Sequence, residues 1–211
     1  MARFILARHG QTAWNTEKRF RGRKDIPLSS AGLKEAKAVA DALVEEGIEF
    51  IYASPLSRSV QTLTPLAENF GKEVIPFEEV IDMNFGKWEG MSIEEAKKEY
   101  PDMFKTWEQA PETVTFPKGE SLAQVQARAM RGISKLALEH PDAAIAVCSH
   151  RVVCKLIMLG LLGVKPDKFW AIKQDTACLN RFEYNPPDSL VITVNETHHL
   201  AKLGGTLRAD F

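Results

Sequence analysis

Three short apolar runs constrain this chain most, because each ends at once in chemically capable polar residues. Residues 4–7 (Phe-Ile-Leu-Ala) lead into Arg8-His9, residues 50–53 (Phe-Ile-Tyr-Ala) into Ser54 and Arg58, and residues 144–148 (Ala-Ile-Ala-Val-Cys) into Ser149-His150. Runs of four or five uninterrupted apolar residues are too short for a buried helix and suit strands covered on both faces. Helix-period segments lie between them. Strands alternating with helices predict an α/β three-layer sandwich around a mostly parallel sheet. In open α/β sheets ligands bind outside the carboxyl ends of the strands. If these strands are parallel neighbours, two histidines and two arginines converge on one cleft.

The intervening pattern is specific enough to place elements. Ser30 is expected to cap a helix carrying Leu33, Ala36, Ala40, Leu43 and Val44 on one face, with Gly47 as its stop. A second helix carries Val60, Leu63, Leu66, Ala67 and Phe70, with a kink at Pro65 and an end at Gly71. Val74-Ile75 reads as a short strand. Ser92-Ile93-Glu94-Glu95 and Ser121-Leu122-Ala123-Gln124 both have capping-box spacing. The helix from Ser121 carries Leu122, Val125, Ala129, Ile133 and Leu136 on one side, and another spans 152–162 before Gly163. Two β-like runs, 179–184 and 190–194, flank a turn at 185–188, and the last run offers an edge to a second copy in a homodimer. The tail after Leu200, with Gly204-Gly205, reads as loose.

Composition narrows the class. At 211 residues the chain reads as a single domain, 1–211, able to bury roughly 70% of its unfolded surface without disulfides or structural metal. With 27 Lys+Arg against 28 Asp+Glu the net charge is -1, which argues against a nucleic-acid partner. The longest apolar stretch, 156–164, is too short to span a bilayer. Charges at Arg3 and Arg8 interrupt any leader-like core. Cys148, Cys154 and Cys178 form no CxxC pair, so a reduced, cytoplasmic protein is expected. His198-His199 lacks a ligand-spaced companion and reads as structural rather than metal-binding. Trp14, Trp88, Trp107 and Trp170 read as packing residues.

Guanidinium forks match the paired oxygens of phosphate, keep their charge at any working pH, and discourage a divalent cation between them. A neutral imidazole beside them can act as nucleophile, while the cations meet charge developing on phosphoryl oxygens. A carboxyl group is then wanted to protonate the leaving oxygen. Residues 78–82 and Trp88-Glu89-Gly90 supply candidates. The basic run of Lys18, Arg19, Arg21, Arg23 and Lys24 can steer anionic substrates.

These residues carry a resemblance. Arg8-His9-Gly10-Gln11-Thr12-Ala13-Trp14-Asn15 resembles the RHGxTxxN signature of the histidine phosphatase superfamily, in its phosphoglycerate-mutase-like branch. The similarity continues through Arg19-Phe20-Arg21-Gly22, Asp25-Ile26-Pro27-Leu28, the stretch from Ser54 to Thr62, Phe85-Gly86-Lys87-Trp88-Glu89-Gly90, Gly119-Glu120-Ser121 and Ser149-His150. It covers residues 3 to about 200, in order. The resemblance implies a phosphoglycerate-mutase-like fold and a phosphatase without metal or other cofactor. His9 would become phosphohistidine. Arg8, Arg58 and His150 would hold the phosphoryl group, with Asn15 and the Gly22 backbone nearby. Asp82 would serve as proton donor and later as base for water.

The chain departs from the family pattern in three places. Asp82 stands where many members carry Glu, which makes Glu89 the second candidate for the acid. Arg21 replaces a common Gln, and Arg151 replaces a common Gly after the second histidine. Both are counted as substrate-binding residues, and their charge points to a small phosphorylated metabolite with more than one anionic group. A phosphoglycerate mutase is the alternative enzyme. The 67 residues between Asp82 and His150 favour a phosphatase, since such mutases carry extra sequence there. A phosphate-binding module without turnover is the third reading. Substrate choice is assigned to the weakly patterned segment 91–118.

Overall fold

A computed structural model describes residues 1–203 of the chain. Its strands are β1 (Ala2–Arg8), β2 (Phe50–Ala53), β3 (Ile75–Pro76), β4 (Ala144–Ser149), β5 (Leu179–Asn185) and β6 (Asp188–Glu196). They form one sheet in the order β3-β2-β4-β1-β5-β6. The first four strands are parallel, and β5 and β6 add an antiparallel edge. The expected α/β class, with a mostly parallel sheet, is therefore the one observed. β6, the run expected to offer an edge to a second copy, is the last strand and exposes Leu190, Ile192 and Val194.

Period-two alternation decides what each face buries. Ile5, Ile51 and Ala146 face the helices α2 (Ser30–Leu43) and α3 (Ser57–Phe70), meeting Val39, Leu43, Leu63 and Leu66. Phe4, Leu6, Ile145 and Val147 face the other way, toward α6 (Leu122–Glu139) and α7 (Arg151–Leu161). A single turn of helix, α1 (Ala13–Thr16), precedes these, and α4 (Ile93–Glu99) and α5 (Pro101–Gln109) lie between α3 and α6 in the chain. Trp88, Phe104, Trp107 and Phe116 pack there as a cluster of mutually tilted and stacked rings. Trp88 and Trp107 are buried as expected, whereas Trp170 is 41% exposed while still meeting Trp107 and Phe169 edge-on.

Some local expectations shift. Ser29, not Ser30, caps α2, its side chain accepting the Gly32 amide at 3.2 Å. Leu33 and Val44 are exposed while Val39 is buried. At about 100° per residue the buried stripe centres on Ala36, Val39, Ala40 and Leu43, which leaves Leu33 and Val44 at its edges. α3 runs through Pro65 and ends at Gly71, whose φ of +62° is left-handed. Ser92 and Ser121 form the expected capping boxes. No helix among the described residues is long and apolar enough to cross a membrane. Of the tail expected to be loose, residues 204–211 lie outside the described residues.

Candidate active site

Sheet register brings the three strand ends together. β4 lies between β1 and β2, with Arg8 opposite Ser149 and Ala53 opposite Cys148. The His9 amide donates to the Ser149 carbonyl at 2.9 Å, and the Ser54 amide donates to the Cys148 carbonyl at 2.9 Å. Arg8, His9, Ser54, Arg58, Ser149 and His150 are consequently all fully buried at one edge. The rings of His9 and His150 lie 5.1 Å apart.

His9 Nδ1 lies 2.7 Å from the Gly10 carbonyl oxygen, which can only accept, so Nδ1 carries the hydrogen. Nε2 is left with its lone pair, buried, and with no hydrogen-bond partner among the described residues. Burial, followed by the charges of Arg58, Arg8 and Arg21, pushes the His9 pKa well below its ordinary value. The ring is thus neutral at pH 7, with its nucleophilic nitrogen bare. The loop that holds it is anchored by the Gly10 amide, which donates to Thr62 Oγ1 at 3.0 Å.

Arg58 is the hub. Its Nε donates to His150 Nδ1 at 3.2 Å, and its Nη2 donates to the Gly22 carbonyl at 2.8 Å and to Asp82 Oδ2 at 3.0 Å. Its Nη1 donates to the Lys24 carbonyl at 2.8 Å. His150 Nε2 donates in turn to Ser54 Oγ at 2.7 Å, and burial with the Arg58 charge lowers the pKa of His150 as well. Gly22 adopts φ +53°, which aims its carbonyl at Arg58. Asn15 sits on the α1 turn, where its Oδ1 accepts from the Thr12 amide and hydroxyl, both at 2.8 Å, so it braces the loop after His9.

The two candidate acids occupy different places. Asp82 is buried, touches Arg58, and lies 3.5 Å from His150 Nδ1. Glu89 instead accepts the Arg23 amide at 2.9 Å, and a Cβ on Gly22 would lie 2.2 Å from its Oε1. Arg21 is buried and borders a narrow cleft with Asp82, Phe85, Trp107 and Arg151. Arg151 opens α7 directly after His150. Among the described residues no group of three His, Cys, Asp or Glu side chains could hold a metal ion; His199 is occupied with the Ala177 carbonyl, its Nε2 lying 3.0 Å from that oxygen.

Several supporting residues escaped the sequence reading. Arg128 on α6 donates to the carbonyls of Glu79 at 2.9 Å and Asp82 at 3.1 Å, while Glu120 accepts from Arg128 and from the Asn84 amide. Together they staple the loop that carries Asp82. Asp25 accepts from the amide and hydroxyl of Ser57 at 2.8 and 2.7 Å, fixing the first turn of α3 and hence Arg58. Asp25 and Glu120 stand within the quoted motifs, whereas Arg128 lies in none of them, and the groups that Arg128 and Asp25 hold lie 32 to 49 residues away in the chain.

Known proteins resemble this chain in sequence and in fold. Residues 4–197 match the profile of the histidine phosphatase superfamily, branch 1. Phosphoserine phosphatase 1 of Hydrogenobacter thermophilus is 35% identical over 96% of this chain and 96% of its own. The solved structure of Bacillus stearothermophilus YhfR superposes with a TM-score of 0.90, at 24% identity, over 95% of this chain and 100% of that one. Phosphoserine phosphatase from Entamoeba histolytica, solved as a mutant with phosphoserine, gives 0.85 at 27% identity over 95% of this chain and 100% of that one. With its ordered motifs meeting at one strand-end cleft, the chain belongs to branch 1 of the histidine phosphatase superfamily.

Proposed function

We propose that this chain, acting as one domain, hydrolyses small phosphomonoesters through a phosphohistidine on His9. The observation that carries the reading is the bare Nε2 of a neutral His9, buried among Arg8, Arg21 and Arg58. Nε2 attacks phosphorus in line, the N–P bond forms, and the bond to the ester oxygen breaks. Arg8, Arg21, Arg58 and His150 surround the transferring group, whose charge is spread over its oxygens. The phosphoryl dianion takes over the Arg58 charge, Asp82 takes up a proton from solvent as the substrate binds, and it passes that proton to the departing alkoxide. Asp82 then takes a proton from water as the water oxygen bonds phosphorus and the N–P bond breaks. Phosphate leaves and His9 is restored.

The family relationship and a relative named phosphoserine phosphatase support hydrolysis of a small phosphorylated metabolite. Cys148, Cys154 and Cys178 are buried and free, which suits a reducing, cytoplasmic setting for the same reading. Purified protein in chelator is expected to hydrolyse an aryl phosphate and to trap acid-labile phosphate on His9, with His9→Ala inactive. Undiminished turnover in that variant would sink the assignment. Isomerisation of a phosphoglycerate without hydrolysis would make the chain a mutase, and binding without either reaction would make it a binding module.

A further inference from the structure

His150 can donate to a phosphoryl oxygen only through a nitrogen that carries a hydrogen, and the structure puts that hydrogen on the far side of the ring. Arg58 Nε donates to His150 Nδ1 at 3.2 Å, and a guanidinium can only donate, so Nδ1 holds a lone pair. Nδ1 also lies 3.5 Å from Asp82 Oδ2, so this edge of the ring faces the groups that surround the transferring phosphoryl. Burial and then the Arg58 charge disfavour an imidazolium, which leaves a single hydrogen, on Nε2. Nε2 in turn lies 2.7 Å from Ser54 Oγ and 3.4 Å from Ser59 Oγ.

Ser54 is built to govern that hydrogen. It is fully buried just past β2, and its amide donates to the carbonyl of Cys148 on β4, the strand that leads into His150. Its oxygen also takes the Leu56 amide at 3.4 Å, which holds it in the turn before α3. Serine and histidine are thus carried by the same pair of strands. The hydrogen bond made by one imidazole nitrogen decides which nitrogen is protonated. A carbonyl at this place would lock the hydrogen onto Nε2, whereas a hydroxyl accepts or donates without moving its oxygen. The phosphoryl group makes that choice matter. An oxygen that takes the Arg58 Nε hydrogen displaces Nδ1 as its acceptor, and two acceptors then face each other. The repulsion ends when Nδ1 carries the hydrogen and donates to the oxygen. Nε2, now bare and buried, requires a donor, and the Ser54 hydroxyl supplies one.

We propose that Ser54 is a positioning residue of this site: its hydroxyl accepts from Nε2–H in the arrangement seen here and donates to Nε2 once a phosphoryl group is bound, so that His150 presents Nδ1–H to a phosphoryl oxygen. The ring stays neutral throughout. One hydrogen passes from Nε2 to solvent and one from solvent to Nδ1. The proposal rests on His150 meeting the phosphoryl group in the proposed reaction, and its test reads the ring separately from turnover. In the full chain labelled with nitrogen-15 histidine, long-range proton–nitrogen spectra at neutral pH distinguish the two neutral tautomers from the imidazolium. Loss of signals in His150→Asn identifies those of His150. Inorganic phosphate is the probe.

The wild type is expected to show Nε2–H without phosphate and Nδ1–H with saturating phosphate. Ser54→Ala is expected to keep the hydrogen on Nε2 in both conditions. Its phosphate affinity and its kcat/KM on an aryl phosphate should each fall by about tenfold, the scale of one hydrogen bond. Ser54→Thr, which retains the hydroxyl, is expected to restore most of both and the change of tautomer. Should Ser54→Ala not fold, Ser54→Cys takes its place with the same expectations at smaller size, since a thiol is a weaker donor and acceptor. Nε2–H in the wild type under both conditions, an imidazolium with phosphate, or wild-type behaviour in the Ser54 variant lacking the hydroxyl would overturn the proposal. Aryl phosphate hydrolysis without a change of tautomer sinks this proposal alone. A change of tautomer without hydrolysis removes the turnover reading and leaves the role of Ser54 standing.

Discussion

At the scale of single residues, the proposed role of His9 rests on one carbonyl and three arginines around its ring. The Gly10 carbonyl selects the tautomer and burial keeps the ring neutral, so no base is needed to free Nε2. The acid is a matter of reach. Asp82, the proposed acid, is one methylene shorter than the glutamate common in the family, and it accepts from Arg58 Nη2 at 3.0 Å. Asp82→Asn is expected to lower kcat on an alkyl phosphate by about 10²- to 10⁴-fold. The loss should be smaller on an aryl phosphate, whose leaving oxygen needs little protonation. Glu89→Gln is expected to cost far less, because that carboxylate is occupied with the Arg23 amide. Steady-state kinetics on both ester types checks this, and the opposite ranking would transfer the acid role to Glu89. The motif residues themselves were legible in the sequence. Asp82 was named there ahead of Glu89, but its contact with Arg58 was not legible, since the loop that carries it is held by Arg128 reaching across 46 residues to the Asp82 carbonyl.

At the scale of elements, caps and periodicity worked where the chain obeys its local rules. Ser121 accepts the Gln124 amide and Gln124 returns the bond to the Ser121 amide, which fixes the start of the 18-residue α6. This helix carries Arg128, so its register also sets the loop of Asp82. Ser121→Ala is expected to destabilise the chain by about 1 kcal/mol, read as a lower urea midpoint at unchanged slope. A midpoint equal to that of the wild type would mean the cap contributes nothing here. The expectation of Ser30 as the cap of α2 missed by one residue because two adjacent serines compete, and only the Gly32 amide decides between them. Segment 78–119 resisted reading for another reason. It is organised by short turns and aromatic packing around Trp88 and Phe116, neither of which has a period.

At the scale of the whole molecule, a net charge of -1 coexists with a cationic cleft, and the cost of that concentration appears behind it. Lys155 is buried on α7, and desolvation, with the charges of Arg151 and Arg8, brings its pKa down to about 7 from 10.5. Between those values the unfolded chain binds a proton that the folded chain does not, so this residue makes stability rise with pH across that window. Below about pH 7 both states are charged and the full penalty is present. Lys155→Met removes the penalty. Its melting temperature relative to wild type is therefore expected to be most favourable near pH 6 and to decline toward pH 9. Parallel melts at the two pH values check this, and a difference that grows more favourable with pH would contradict it.

The amino-acid sequence by itself determined the alternation of strands and helices, the chemistry waiting at three strand ends, and the ordered motifs of the family. Each is a local property, carried by residues a few positions apart, so a linear reading reaches it. The tertiary structure alone decided that β4 separates β1 from β2, that His9 presents Nε2, that Asp82 and not Glu89 meets Arg58, and that Arg151 lies on Trp170. The strand order sets the ends of β2 and β4 side by side, and the contacts it creates join residues as distant as Ser54 and His150. No period or spacing in the chain encodes a hydrogen bond across such a distance.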